Sequence, residues 1–294
     1  MAKIKRNANA GYFEVQNKPT EVELKAYYEK EYYQKDRGSY AQKYPESELQ
    51  FKENKIKLKA SIAQNLMSND QGKKILDVGC GEGFVLKYFN DQGWNIQGLD
   101  FSKFGCANHN PDIADQVIEG NIYENLDKLI SKGEQYDLIW LDNVLEHVID
   151  VERLLEVCKK LSKQDGILTI TVPNDFSAMQ MALLDQGKIE KDFWVKTPDH
   201  LSYFTAPSLR KQMELSGWNT KSIIADFPID WFLTNEVANY IQDKSAGKPA
   251  HHSRVWLYNH IMNNNDIEAV VNFYESLANI GMGRNITGFF KIAN

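Results

Sequence analysis

"ILDVGCGEGF", residues 75–84, decides how the rest of the chain is read. Ile75, Leu76 and Val78 form a short apolar run that suits a buried strand, and it passes directly into glycines at 79, 81 and 83. Glycine at alternate positions lets a backbone turn tightly and approach a ligand without Cβ collisions. Residues 82–91 read as a helix, whose first amides would face the same crevice. The spacing is GxGxG, with the third glycine one position earlier than a dinucleotide site uses. Alone, the stretch says that a backbone must come close to something.

The flanking sequence says what kind of fold supplies it. Short apolar runs at 74–78, 95–100, 116–119, 136–141 and 166–172 alternate with helix-like stretches at 82–91, 102–109, 123–131 and 150–163. Near-continuous apolar strands separated by helices imply a parallel sheet covered on both faces. Right-handed crossovers then give a doubly wound α/β domain. A helix at 206–216 ends at Gly217, which suits a left-handed C-cap, and strands follow at 218–225 and 285–293. The 226–284 segment between them is far longer than a strand connection needs and reads as a helical insertion: a lid, a substrate wall or a dimer contact. Upstream, residues 1–20 read as poorly structured, 21–34 as a helix capped by Thr20, and 47–67 as a longer amphipathic helix. The expected organisation is an N-terminal helical cap (1–70), an α/β core (71–225 plus 285–294) and the insertion (226–284).

Composition narrows the function. The hydrophobic share of 43% and charged share of 25% are those of an ordinary globular chain, and no run of 18 apolar residues occurs. The basic N-terminus lacks an apolar core, so no signal peptide is expected. Cys80, Cys106 and Cys158 form no CxxC pair, which argues against a disulfide framework or structural zinc and for a reducing cytoplasm. Net charge is −6, and the lysines of "KENKIKLK" (52–59) read as a solvated helix face. No nucleic-acid partner is expected.

Chemistry-bearing residues recur at strand ends. Strand 95–100 finishes in Asp100, 21 residues after Gly79, where a carboxylate can accept both ribose hydroxyls of an adenosine. Lys103 is near enough in sequence to balance the acid without a ligand. After the third strand, Asn121 can pair with an adenine amino group and Ile122 can pack on the ring. The fourth strand ends in Asp142-Asn143, within "LIWLDNVLEHVID".

Taken in order, ILDVGCGEGF, GLD at 98–100, EGN at 119–121 and LDNVLEHV at 141–148 resemble the class I S-adenosylmethionine-dependent methyltransferases, over residues 73–225 plus 285–293. The resemblance implies a Rossmann-like seven-stranded sheet with an antiparallel last strand. It also implies that the glycine loop cradles the methionine part of the cofactor, that the strand-two acid holds the ribose, and that the segment after strand four lies beside the sulfonium. Those roles fall on Asp77, Gly79, Cys80, Gly81, Gly83, Asp100, Phe101, Asn121, Ile122, Asp142, Asn143 and His147.

The acceptor is read from elsewhere. Amino methyltransferases of nucleic acids tend to carry Asn/Asp-Pro-Pro-aromatic after strand four, and this chain reads Asp142-Asn143-Val144-Leu145. The loop TPDHLSYFT (197–205) is similar to an HEHLSYFS-like stretch of bacterial sugar methyltransferases, in which the equivalent histidine is proposed as a base. Here Thr197 replaces the first histidine and the cysteine-rich zinc module is absent, which favours O- over C-methylation. A hydroxyl nucleophile gains from a base within hydrogen-bond reach, and histidine is mostly neutral at pH 7. His200 is the first candidate, His147 the rival and Asp199 a carboxylate alternative. No metal site is expected, because adjacent His251 and His252 point apart on a helix. Tyr27, Tyr28, Tyr32, Tyr33, Tyr40 and Tyr44 suit either a cap over the cofactor or an aromatic face packed on the core. Trp231, Tyr240, Trp256, Tyr258 and Arg284 suit either a sugar surface or a homodimer interface. The expected function is O-methylation of a small molecule, foremost a sugar or nucleotide sugar for surface polysaccharide. The alternatives are a phenol or other metabolite as acceptor, or a partner protein that binds the cofactor without catalysis.

Overall fold

The structure, a computed structural model, describes residues 3–24, 26–27, 43–67 and 73–293. A hairpin opens the chain: β1 (Ile4–Arg6) and β2 (Phe13–Val15) pair antiparallel. Residues 21–24 and 26–27 are helical; Thr20 Oγ1 accepts from Glu23 N (3.3 Å) and Glu23 Oε2 accepts from Thr20 N (2.8 Å), a reciprocal cap. The rest of the 21–34 stretch, with Tyr28, Tyr32 and Tyr33, lies outside the described residues, as does Tyr40.

After α1 (Glu46–Leu66) the chain alternates: β3 (Lys74–Val78), α2 (Phe84–Asn90), β4 (Asn95–Asp100), α3 (Phe104–His109), β5 (Val117–Glu119), α4 (Ile122–Ser131), β6 (Tyr136–Asp142), α5 (Val151–Leu161) and β7 (Ser162–Pro173). Then come α6 (Ala178–Asp185), β8 (Ser202–Tyr203), α7 (Ala206–Leu215), β9 (Trp218–Ala225), α8 (Gly247–Asn264), α9 (Ile267–Asn279) and β10 (Asn285–Ile292).

The main sheet has seven strands in the order β5-β4-β3-β6-β7-β10-β9, and β10 runs antiparallel to both neighbours, as expected. From β3 the order departs one way to β4 and β5 and the other way to β6 and β7, all parallel. The crevice at the carboxyl ends of β3 and β6 is therefore the topological switch point, where open α/β sheets take ligands. The helices bury the sheet by their apolar stripes. In α5, Val151, Leu154, Leu155, Cys158 and Leu161 face inward while Asp150 caps the start by accepting from Arg153 N at 2.9 Å. No helix among the described residues is long and apolar enough to cross a membrane.

Two expectations are corrected. Residues 3–15 are ordered: β2 pairs antiparallel with β8 to make a second, three-stranded sheet. Tyr12 packs on Phe204 with ring centroids 4.7 Å apart, so the segment gains its structure from a partner far along the chain. Of the "KENKIKLK" lysines only Lys57 is solvated. Positions 52, 55 and 59 fall on one helical stripe, and that stripe faces the carboxylates at the strand ends. The 226–284 segment is helical, as expected. α8 lies on α1 through Asn54 Nδ2 to Asn259 Oδ1 (3.0 Å), Asn259 Nδ2 to Ser47 O (3.0 Å) and an edge contact of Phe51 with Tyr258 (5.1 Å).

Candidate active site

The glycine loop leaves β3 over a buried acid. Gly81 has φ +52°, which L side chains rarely adopt, and a Cβ there would meet nothing within 4 Å. Gly79 differs: besides φ +77°, a Cβ would strike Val144 at 2.6 Å, so that glycine also serves packing. Gly81 N donates to Asp100 Oδ2 (2.8 Å), and Ser102 N donates to Oδ1 (3.1 Å). Burial raises the Asp100 carboxyl, while these amides and that of Phe101 pull against it. Lys103 makes no ion pair with Asp100 among the described residues; its backbone N–H goes to Glu119 (2.9 Å).

Asp77 lies beneath the loop at 2% exposure, held well above the usual carboxylate range by burial and then by Asp142 and Asp100. Burial also pushes Asp142 up, but the Lys59 ammonium outweighs it and holds this carboxyl below its ordinary range. Lys59 Nζ reaches both its oxygens (2.7 and 2.6 Å) and Thr171 Oγ1 (3.3 Å). Asp77 and Asp100, with the Lys59-paired Asp142 beside them, thus gather acidic groups at the glycine turn, and a ligand carrying positive charge would draw Asp77 toward its ionised form.

The remaining cofactor candidates fall on the same rim, with one difference of detail. Cys80 turns inward: its N–H donates to Leu99 O (3.1 Å), its carbonyl accepts from Gly83 N (2.9 Å), and its thiol is buried and raised by that burial. Asn121 caps α4, its Oδ1 accepting from Glu124 N (3.1 Å), with Ile122 beginning the helix. Above the loop, Glu82 accepts from Tyr44 OH (2.6 Å) and Lys52 Nζ (2.9 Å), so one of the N-terminal tyrosines crosses the glycine turn.

The acceptor candidates are assembled by backbone rather than by sequence proximity. Asn143 sits at φ +57°, unusual for a non-glycine residue, with N donating to Thr171 O (3.0 Å) and Nδ2 to Glu146 Oε1 (3.0 Å). The Glu146 carbonyl accepts from Leu201 N (2.8 Å) and Ser202 N (3.1 Å), while Val15 N of the opening hairpin donates to Leu201 O (3.0 Å). Clamped from both sides, loop 197–205 brings His200 against His147, ring centroids 5.0 Å apart and edge to face.

His147 Nδ1 lies 2.7 Å from Asp199 O and 3.4 Å from Asp199 Oδ1. Burial works against its charge, but Asp199 and Glu146 prevail and raise its pKa. His200 is 8% exposed; its Nδ1 is buried without a hydrogen-bond partner, 3.9 Å from Asp175 Oδ2. Glu146 is 1% exposed, its Oε2 equally unpartnered and its carboxyl raised by burial. Glu146, His147 and His200 each offer one ligand atom within 4.8 Å of the others and can hold a metal ion. His251 instead pairs with Glu48 (2.5 Å). Sequence reading missed Glu146, Asp175 and Lys59. Only Lys59 carried a signal, the 52/55/59 spacing.

A family model described as "Methyltransferase domain" matches residues 51–223, more than half of the chain. The chain belongs to this methyltransferase family. It is an S-adenosylmethionine-dependent enzyme, and that cofactor, cationic at its sulfonium and its ammonium, fits the acidic glycine turn. Among similar proteins, a ubiquinone biosynthesis O-methyltransferase of Actinobacillus pleuropneumoniae is 27% identical over 58% of this methyltransferase and 78% of its own length. The human mitochondrial ubiquinone biosynthesis O-methyltransferase is 32% identical over 35% of this chain and 29% of its own. A SAM-dependent methyltransferase from Archaeoglobus fulgidus superposes with TM-score 0.48 at 19% identity, over 80% of this chain and 92% of that one.

Proposed function

We propose that this methyltransferase methylates a hydroxyl of a small phenol-type acceptor, of the kind quinone precursors carry. The observation that carries the reading is the pair of half-buried His147 and buried His200, just past Asp142 and Asn143 at the carboxyl end of β6. The names of the similar O-methyltransferases move the acceptor away from the sugar suggested by loop 197–205. Phenols ionise near pH 10, far below sugar hydroxyls, so a single oriented histidine suffices as base.

In this proposal Asp100 binds the ribose of the cofactor, Asn121 and Ile122 border the adenine, and the Gly79–Gly83 turn with Asp77 takes the amino-acid end. The bound cofactor supplies an electrophilic methyl group. His147 is the better-placed base. Asp199 accepts from Nδ1–H, which fixes the tautomer, and Nε2, 3.8 Å from Glu146 Oε1, takes the proton of the acceptor hydroxyl as its oxygen attacks. His200 packs edge-on against that ring and limits its rotation.

Incubation with S-adenosylmethionine and either catechol or UDP-glucose tests the acceptor class. One methyl of added mass on catechol is expected; methylation of the sugar nucleotide alone would overturn the reading. A second reading has its own observation: Glu146 Oε2 and His200 Nδ1 are buried without partners, as ligands awaiting a divalent cation would be. Turnover that survives EDTA supports the histidine base, and turnover restored only by added Mg²⁺ or Zn²⁺ supports the cation.

A further inference from the structure

The inward stripe of α1 holds three lysines, and only one of them lacks an acid. Lys52 is paired with Glu82 (2.9 Å) and Lys59 with Asp142 (2.6 Å). Lys55 lies between them along the helix, one turn before Lys59, and makes no ion pair among the described residues. Its ammonium sits 5.0 Å from the centroid of the Phe51 ring. The two carboxylates whose charge reaches it are already engaged. Asp142 is gripped by Lys59, and Asp226 accepts from Arg284 N, Asn285 N and Asn285 Nδ2, each at 2.7 Å. Burial and the neighbouring Lys59 push Lys55 down to about 8.

A second cation meets it from the insertion. Arg254 of α8 stands over the same Phe51 ring, its guanidinium carbon 5.4 Å from the centroid. Its Nη2 contacts His251 Nδ1 at 2.6 Å, its Nε is buried with no hydrogen-bond partner, and no carboxylate pairs with it among the described residues. Glu48 reaches Arg254 only across the His251 ring, through His251 Nε2 (2.5 Å), so two half-buried cations on facing helices share one ring without a direct counter-ion among the described residues, an arrangement that an anion from outside would relieve. The place is specific. Lys55 is felt by Asp142 at the end of β6 and by Asp226 just past β9, so it overlooks the strand ends where the proposed acceptor binds.

We infer that Lys55 and Arg254 form an anion subsite that takes a carboxylate or phosphoryl group carried by the methyl acceptor. The inference rests on the acceptor reading above and adds to it that the acceptor is acidic. It also gives the insertion a role: α8 supplies half of the subsite.

Calorimetric titration of the S-adenosylhomocysteine-loaded full chain tests this with four probes: catechol, 3,4-dihydroxybenzoate, phenyl phosphate and inorganic phosphate. The wild type is expected to bind dihydroxybenzoate or phenyl phosphate at least about tenfold more tightly than catechol, a charge-assisted contact's worth of affinity. The preferred acid tells the carboxylate from the phosphoryl source. Lys55→Met and Arg254→Met should each remove the gap while leaving catechol and S-adenosylhomocysteine affinities unchanged, and Lys55→Arg should keep it. Equal affinity for catechol and both acids, a gap that survives both substitutions, or no binding of any anion overturns the subsite. Catechol methylated with no preference for the acids would sink the subsite and spare the phenol reading. Phosphate binding abolished by the double substitution, with no diol methylated, would spare the subsite and sink the phenol reading.

Discussion

Asp100 shows how much one side chain can organise. Its two oxygens receive amides from the glycine turn and from the residues that follow β4, so it ties the loop to the strand end. Asp100→Ala should weaken S-adenosylhomocysteine binding about ten- to a hundredfold, the loss of one or two charge-assisted hydrogen bonds. Calorimetry reads this directly, and an unchanged Kd would remove the residue from the site. Lys55 makes the opposite point, a residue that burdens the fold. Its ammonium titrates near 8 in the folded chain and near the ordinary lysine value of about 10.4 when unfolded. Between those values the unfolded chain holds a proton that the folded chain has released, so stability from this group rises with pH there. Below pH 8 the full penalty is present. Lys55→Met should therefore raise Tm at pH 7 by about 3–8 °C, with the advantage shrinking toward pH 10. A Tm that falls, or a gain that does not depend on pH, would contradict it.

Elements whose signal is local were legible, and those whose cause is distant were not. β3, β4, β6 and β7 each announce themselves by a run of residues buried on both faces, and the sheet's switch point follows from their alternation with helices. Helices α4 and α5 start at Asn121 and Asp150, side chains whose capping chemistry is written in the sequence. β1, β2 and β8 have three, three and two residues, too few for any period, and what makes them strands is a pairing across the length of the chain. The same distance hid Glu146, whose backbone carbonyl holds the His200 loop. A lysine-rich helix reads as solvated by default, and only the acids gathered at the strand ends reverse that reading for 52, 55 and 59. The hairpin's place suggests its use. A chain starting at Asn17 should bind S-adenosylhomocysteine within about threefold of the full chain, because the glycine turn does not touch the hairpin. Its turnover should fall at least about tenfold, since loop 197–205 loses the strand that flanks it. Hydrogen exchange at Leu201 to Tyr203 should accelerate in parallel. Equal turnover would show that Glu146 alone holds the loop.

At the scale of the molecule, the reversed strand matters more than the parallel ones. The five parallel strands β3 to β7 all end at the crevice, and four of them deliver acids there: Asp77 from β3, Asp100 from β4, Asp142 from β6 and, just after β7, Asp175. A further parallel strand would only add to that excess. Because β10 runs antiparallel, it begins at the crevice, and the residue before it, Arg284, arrives among the acids. Its Nη1 lies 3.3 Å from Asp175 Oδ1 and 3.9 Å from Asp230 Oδ2, and the guanidinium covers the Phe193 ring at 5.1 Å. Asp230, itself held by Tyr240 OH (2.7 Å), belongs to the insertion, so this one cation joins core and insertion beside His200. Arg284→Met would leave two buried carboxylates facing each other without a cation, a loss of about 3–5 kcal/mol. For a chain of this size that corresponds to a Tm lower by roughly 6–20 °C. Limited proteolysis should then cut within 229–246 before the core opens. Removing the acids as well, with Asp175→Asn and Asp230→Asn in the same chain, should recover most of the lost stability, because the penalty is the uncompensated charge and not the missing side chain. If the triple variant unfolds no later than Arg284→Met, packing on Phe193, not charge, is what ties the insertion to the core.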